Sequence, residues 1–214
     1  MQTSLKTESL LDLSKTISSK IFKEKTYPWQ VLSDLSSFII FLGEKLPKER
    51  YIFFKENIWV AKNAKVSEMA SVCGPAIIDE KSEIRHSAFI RSNAIIGKGV
   101  IVGNSTEIKN SILFDEVQVP HYNYVGNSVV GFKSHLGAGV ILSNIKSDKT
   151  KIVIKSEETI DTDLRKFGSI IGDFVEIGCN SVLNPGTIIG RNSTIYPLCS
   201  VRGVVEENCI LKGS

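Results

Sequence analysis

Several features that would mark common functional classes are missing from this chain. Its 214 residues hold four cysteines, Cys73, Cys179, Cys199 and Cys209, with no C-x-x-C pair and no zinc-ligand spacing. That pattern argues against a disulfide framework or a zinc site; the thiols are expected to be small packed groups in a reducing compartment, and no metal is expected. The net charge is only +3 and no long basic run accompanies it, so no nucleic-acid partner is indicated. Phe38-Ile39-Ile40-Phe41-Leu42 is the densest apolar run and is far too short to span a bilayer. The opening MQTSLKTESLLDLSK lacks the basic region and apolar stretch of a secretion signal, so no membrane role and a cytoplasmic location are expected. Residues 1–50 contain no glycine-rich phosphate loop, which removes support for nucleotide binding there.

What the chain does have is a period of six. Val60, Val66, Val72, Ile78, Ile84, Ile90, Ile96, Val102 and Ile108 follow one another at that spacing. The register drifts through Phe114 and Pro120, returns at Val130, Leu136 and Leu142, and resumes at Ile171, Ile177, Leu183, Ile189, Ile195 and Val201. Four residues after many of these stands a small side chain, such as Ala76, Ser82, Ala88, Ala94 or Ser181. A helix of 3.6 residues per turn cannot keep such a stripe on one side. A parallel β-helix can, with the aliphatic side chain pointing inward and the small residue at a corner. Three repeats complete a triangular coil, so residues 18 apart should stack at about 4.8 Å.

The fold class expected is therefore all-β, a parallel β-helix of hexapeptide repeats with an N-terminal helical segment. Residues 1–50 read as helical, with Leu10, Leu11, Leu13, Ile17 and Ile21 on one helix. Trp29, Leu32, Leu35, Ile39 and Leu42 fall on a second after the break at Tyr27-Pro28. A cap or packing arm is expected, because the end of a repeat stack exposes an unpaired edge. The β-helix occupies 51–205, interrupted by a charged loop at 145–169 containing a short hairpin near Lys151–Ile154, and 206–214 form a tail.

Chemistry concentrates between Arg91 and Asn144. Arg91 follows Ile90 and Lys109 follows Ile108, so two outward cations stack one coil apart and suggest a bound phosphate. A neighbouring carboxylate such as Glu107 is the plainer partner. His121, after Pro120 in what reads as the same outward slot, is suited to take a proton near neutral pH. Tyr124 offers a phenol, and Asn123, Asn127 and Asn144 offer amides.

The segments KNSIL (109–113), PHYNYVGNSVVG (120–131), HLGAGVILSN (135–144) and DTDLRKFGSIIGD (161–173) carry a family resemblance. They resemble the C-terminal acetyltransferase domain of the bifunctional glucosamine-1-phosphate acetyltransferase/N-acetylglucosamine-1-phosphate uridylyltransferase, and more closely the archaeal sugar-1-phosphate nucleotidylyltransferases with an acetyltransferase half. The resemblance implies a left-handed β-helix, a homotrimer with sites between subunits, and acetyl-CoA as co-substrate. It implies that His121 is the general base and that Asn144 orients or polarises the acetyl group. Arg91, Lys109 and Tyr124 would hold the sugar phosphate, with His135 where the bacterial enzymes place a substrate-contacting asparagine. Ala138 and Cys179 would line the coenzyme channel. Thr150 occupies the position of an expected lysine, which leaves Lys149 or Lys151 to serve there. The nucleotidyltransferase domain has no counterpart here. Acetylation of an amino-sugar 1-phosphate, with glucosamine-1-phosphate the leading candidate, is the function implied. The alternatives are an amino-sugar nucleotide acceptor, or a non-catalytic trimerisation or regulatory module.

Overall fold

The computed structural model describes residues 4–54, 56–156 and 159–213. Short strands wind into a three-sided parallel β-solenoid whose sides are a nine-stranded sheet (sheet I), a seven-stranded sheet (sheet II) and an eight-stranded sheet (sheet III). Each coil visits sheet I, then III, then II. In the second coil, for example, the strands are Ala76–Ile78, Glu83–Ile84 and Phe89–Arg91. Their stacking follows the period: Ile78 pairs with Ile96, Ile84 with Val102 and Ile90 with Ile108. The inward aliphatics Ile78, Ile90, Ile96, Val102 and Ile108 are all fully buried, each worth roughly 1.5–3 kcal/mol of transfer free energy. Small residues such as Ala94, Ser82 and Ser181 are buried at the corners. The intervening turns place residues such as Asn110, Asn127 and Asn180 at positive φ, a conformation asparagine tolerates better than most side chains.

Not every coil has 18 residues; near the end, for example, Ile189 and Val205 pair at a separation of 16. Ile108 pairs with Val125 and Leu113 with Val130, each 17 residues on. The inward positions there are consequently Leu113 and Val119, fully buried, instead of the in-register Phe114 and Pro120. Phe114 is buried too, but against the N-terminal segment, its ring edge-on to Phe22 at 5.8 Å. Coiling also continues into the stretch expected to be a tail, since Ile210–Leu211 pairs with Thr194–Ile195.

Of the two placements expected, the N-terminal segment takes that of the packing arm, but it departs from expectation in form. Only Thr7–Leu10 and Leu35–Gly43 are α-helical; Leu13–Lys15, Ser19–Phe22 and Pro28–Val31 are single 3-10 turns. Its backbone also bonds with the solenoid. Leu10 O accepts from Asp173 N at 3.1 Å, and Lys15 O from Asp115 N at 3.0 Å. Asp12 N donates to the buried Asp173 carboxylate at 2.7 Å, which also meets Arg191 at 3.1 Å. The segment therefore runs along the outer face of sheet I and does not plug an end. Outward-facing Ile77, Ile95, Ile112, Val129, Ile170 and Ile188 are all at 0% exposure beneath it.

The insertion leaves sheet II after Ile141–Leu142 and re-enters sheet I at Ser169–Ile171. It carries an antiparallel hairpin, Val153–Lys155 with Thr159–Asp161. Buried Ile152 and Ile154 fasten it to the coils.

Candidate active site

Outward residues of sheet II form a readable grid. Glu107 lies between Phe89 and Tyr124 in one row, and Lys109 lies between Arg91 and Gly126 in the next. Arg91 is exposed and its guanidinium donates to Glu107 Oε1 at 3.0 Å, so the carboxylate partner anticipated from sequence is present. Lys109 is half-buried, and its ammonium makes no such bond among the described residues. Burial lowers its pKa below the ordinary lysine value, the Arg91 and Lys166 charges lower it further, and Glu107 opposes them. Two cations thus press on a third, with a single carboxylate beside them, a field suited to an anionic group.

Gly126 leaves the space above Lys109 open to two polar groups. A Cβ there would meet the Tyr124 hydroxyl at 2.6 Å and Asn144 Nδ2 at 2.8 Å. Asn144, 8% exposed, donates to Asn127 Oδ1 at 2.7 Å and also bonds the Tyr124 hydroxyl. Burial and then Glu107 raise the Tyr124 pKa, against the Asn144 bond and Arg91, so the phenol is a neutral donor at physiological pH. Arg91, Lys109, Tyr124 and Asn144 therefore gather at one edge of sheet II, as the sequence suggests.

Lys166 carries no signal in the six-residue period. It sits at the returning end of the insertion, fixed by the two residues after it. Phe167 is fully buried against Trp29, its N–H donates to Asn144 O at 3.0 Å, and Gly168 N donates to Asn127 O at 2.9 Å. Lys166 is exposed there, near enough for its charge to lower the Lys109 pKa. The usable signal is a lysine directly before an apolar residue where the repeat resumes. The two loop lysines expected to serve instead lie elsewhere on the insertion: Lys151 is ion-paired with Asp163, and Lys149 is exposed in a turn.

His121 occupies a different edge. It ends the sheet III strand Gln118–His121, two residues past inward Val119, and pairs with Asn104. The one-residue shortening of that coil puts it at the corner between sheets III and II, not in the outward slot shared by Arg91 and Lys109. Its backbone is pinned on both sides: His121 N donates to Asn123 Oδ1 at 3.1 Å, and Gly139 N donates to His121 O at 3.0 Å. The imidazole is exposed and makes no hydrogen bond to other described residues. Continuing that register, Ala138 and then Cys179 follow His121 along the same corner, with Asn180 N bonded to Ala138 O at 2.8 Å. Beside them runs an open groove of about 340 Å3 lined by His135, Gly137, Cys179 and Tyr196 among others. His135 faces outward on sheet III, its Nδ1 2.9 Å from Glu176 Oε2, and lies outside the Arg91 cluster. Within one chain, then, His121 with its neighbours Ala138 and Cys179 and the cation–amide cluster occupy opposite edges of sheet II.

Comparison with known proteins fits this architecture. Residues 72–164 match the model of the GMPPB C-terminal domain, and residues 168–203 that of the bacterial transferase hexapeptide (six repeats). The bifunctional protein GlmU of Methanococcus maripaludis is 34% identical over 108 residues, covering 50% of this chain and 26% of that protein. A bifunctional sugar-1-phosphate nucleotidylyltransferase/acetyltransferase of Sulfurisphaera tokodaii is 34% identical over 92 residues, or 42% of this chain and 23% of its own length. The chain thus matches about a quarter of each relative. Among solved structures, PerB from Caulobacter crescentus in complex with CoA and GDP-perosamine aligns with a TM-score of 0.34 at 13% identity, over 69% of this chain and 54% of that one; so distant a likeness carries no functional argument. The solenoid is a parallel β-helix of hexapeptide repeats, and its residues 168–203 are similar to the repeat found in bacterial transferases. More narrowly, residues 72–164 are similar to the GMPPB C-terminal domain, and about half of the chain is similar to part of the GlmU-like bifunctional proteins.

Proposed function

We propose that this protein transfers an acetyl group from acetyl-CoA to the amino group of an amino-sugar 1-phosphate, with glucosamine-1-phosphate the first acceptor to test. The observation that carries the reading is the convergence of Arg91, Lys109 and Lys166 beside Tyr124 and Asn144. Repelling cations beside two neutral donors suit a sugar bearing a phosphate. His121 would take a proton from the amine as its nitrogen attacks the thioester carbon. The carbon–sulfur bond then breaks, and the coenzyme leaves as thiolate and collects a proton. Asn144 donates toward the carbonyl oxygen, where negative charge develops. The coenzyme would lie along the Ala138–Cys179 edge, whose small side chains leave room for a narrow thioester arm. A homotrimer completes the arrangement: a neighbouring copy would bring its His121 edge against the Asn144 edge of the first, joining groups that one chain keeps apart. The product would be a precursor for nucleotide-sugar and cell-envelope synthesis, as in the pathway to UDP-N-acetylglucosamine.

An amino-sugar nucleotide acceptor is the second reading, because the outward row of sheet II stays open beyond Lys109. Thiol release from acetyl-CoA, measured against a panel of amino-sugar phosphates and amino-sugar nucleotides, tests both. Turnover with a 1-phosphate supports the first reading, and turnover with nucleotides alone supports the second. Silence across the panel leaves the non-catalytic module. Light scattering that reports a monomer with full activity would refute the shared site.

A further inference from the structure

A second cationic region lies away from the Arg91 cluster. The inserted hairpin does not lie flat on the coils but leaves a crevice of about 530 Å3. Its floor is apolar. Ile152 is 1% exposed and lies so close to Gly186 that a Cβ on that glycine would come within 2.6 Å of it. Its rim is cationic, with Lys146 and Lys155 from the insertion and Arg202 from the solenoid, and no acidic side chain is among the lining residues. Lys146 is already engaged, 2.6 Å from Thr150 Oγ1 and 3.7 Å from Asp148. Lys155 and Arg202 are exposed and have no ion pair or hydrogen-bond partner among the described residues.

These two cations come from independent elements, one ending a hairpin strand and the other directly following the strand Ser200–Val201. Folding brings them to the walls of one apolar crevice, and no acidic side chain among the described residues pairs with either. Arg202 also continues the outward row of sheet II, because Leu142 pairs with Leu183 and Leu183 with Val201. The crevice is therefore an extension, a few coils further on, of the edge that holds Lys109.

We propose that this crevice binds a phosphate-bearing nucleoside, its phosphate held between Lys155 and Arg202 and its less polar part resting on Ile152. That chemistry has two sources, the phosphorylated end of a coenzyme A thioester and the diphosphate of a nucleotide sugar. The assignment rests on the crevice alone and not on acyl transfer. Calorimetric titration of the full chain with CoA, dephospho-CoA and UDP, in wild type and in the Lys155→Ala/Arg202→Ala double variant, tests it. Both side chains are exposed, so the variant should fold, and an unchanged circular-dichroism melt checks this. At least one probe should bind the wild type and lose about ten- to a hundredfold in affinity in the variant, with a shallower salt dependence. A loss confined to CoA assigns the crevice to its 3′-phosphate, a shared loss for CoA and dephospho-CoA to the coenzyme diphosphate, and a loss confined to UDP to a nucleotide sugar. The proposal is overturned if no probe binds, or if every affinity stays within threefold. A protein that binds a probe through these residues but never releases thiol from acetyl-CoA keeps the crevice and loses the acetyltransferase reading.

Discussion

Sheets I and II share one backbone design and the same inward stripe, yet their outer faces have opposite characters. On sheet I the outward residues Ile77, Ile95, Ile112, Val129, Ile170 and Ile188 are buried under the N-terminal segment, so the sheet is apolar on both sides. On sheet II the equivalent surface carries Arg91, Glu107, Lys109 and Tyr124, none of them fully buried. The difference shows how a repeat scaffold divides its labour. Burial on two sides of sheet I stabilises the molecule, which lets sheet II hold mutually repelling cations whose only nearby carboxylate, among the described residues, is Glu107. Asp173 marks the join. It is buried, accepts from Phe132 N of the solenoid at 2.8 Å and from Asp12 N of the segment at 2.7 Å, and pairs with Arg191.

If that division is real, changes on the open faces should alter chemistry without stability, and changes beneath the segment should do the reverse. The largest effect is expected at His121. His121→Ala should lower acetyl transfer by about 10²–10⁴-fold with an unchanged melting temperature, and a variant within threefold of wild-type turnover would show that another group takes the proton. Next comes the covered face. Ile112→Ala should cost about 2–5 kcal/mol in denaturant unfolding, while the folded fraction keeps its Michaelis constants. A cost below about 1 kcal/mol would mean that the N-terminal segment contributes little.

A smaller effect is expected at the cation cluster. Arg91→Ala or Lys166→Ala should raise the Michaelis constant for the sugar phosphate by about ten- to a hundredfold, the worth of one charged hydrogen bond at roughly 1.5–3 kcal/mol. The constant for acetyl-CoA should hardly move. Weakening of acetyl-CoA alone would place the acceptor elsewhere.

The smallest effect concerns pH and again the covered face. Asp115 is half-buried, its N–H is spent on Lys15 O, and burial pushes its carboxyl pKa up to about 6. A raised carboxyl pKa means that the folded state holds the proton more tightly. Its favourable contribution is present below the unfolded value near 4 and disappears as pH rises through about 6. Asp115→Asn should therefore stabilise the protein at pH 7.5 by about 1–2 kcal/mol, discounted for partial exposure. Near pH 4 the gain should vanish. Melting curves of both proteins at the two pH values decide it, and an equal difference at each would remove the titration account.

Much of this is visible in the residue order. The inward stripe, the one-coil separation of Arg91 and Lys109 and the sheet I doublets such as Ile77-Ile78 and Ile95-Ile96 are all local patterns. The doublets in fact announce a two-sided sheet. Lys166 is hidden because its place depends on where Phe167 anchors after a long insertion. The corner position of His121 is hidden because the coil shortens near Asn110, and a fixed period cannot report one missing residue until the register resumes.

Order along the chain decided that this would be a parallel solenoid, since an aliphatic residue every six positions can be buried in no other regular way. It also decided which side chains alternate inward and outward. Tertiary structure alone decided where the N-terminal segment lies, because that depends on contacts such as Asp12 to Asp173 between residues 161 apart. The same holds for the gathering of Lys166 with Lys109 and for the pairing of Lys155 with Arg202 across a crevice. Charges drawn together against their own repulsion come from distant stretches of chain, and no local period records them.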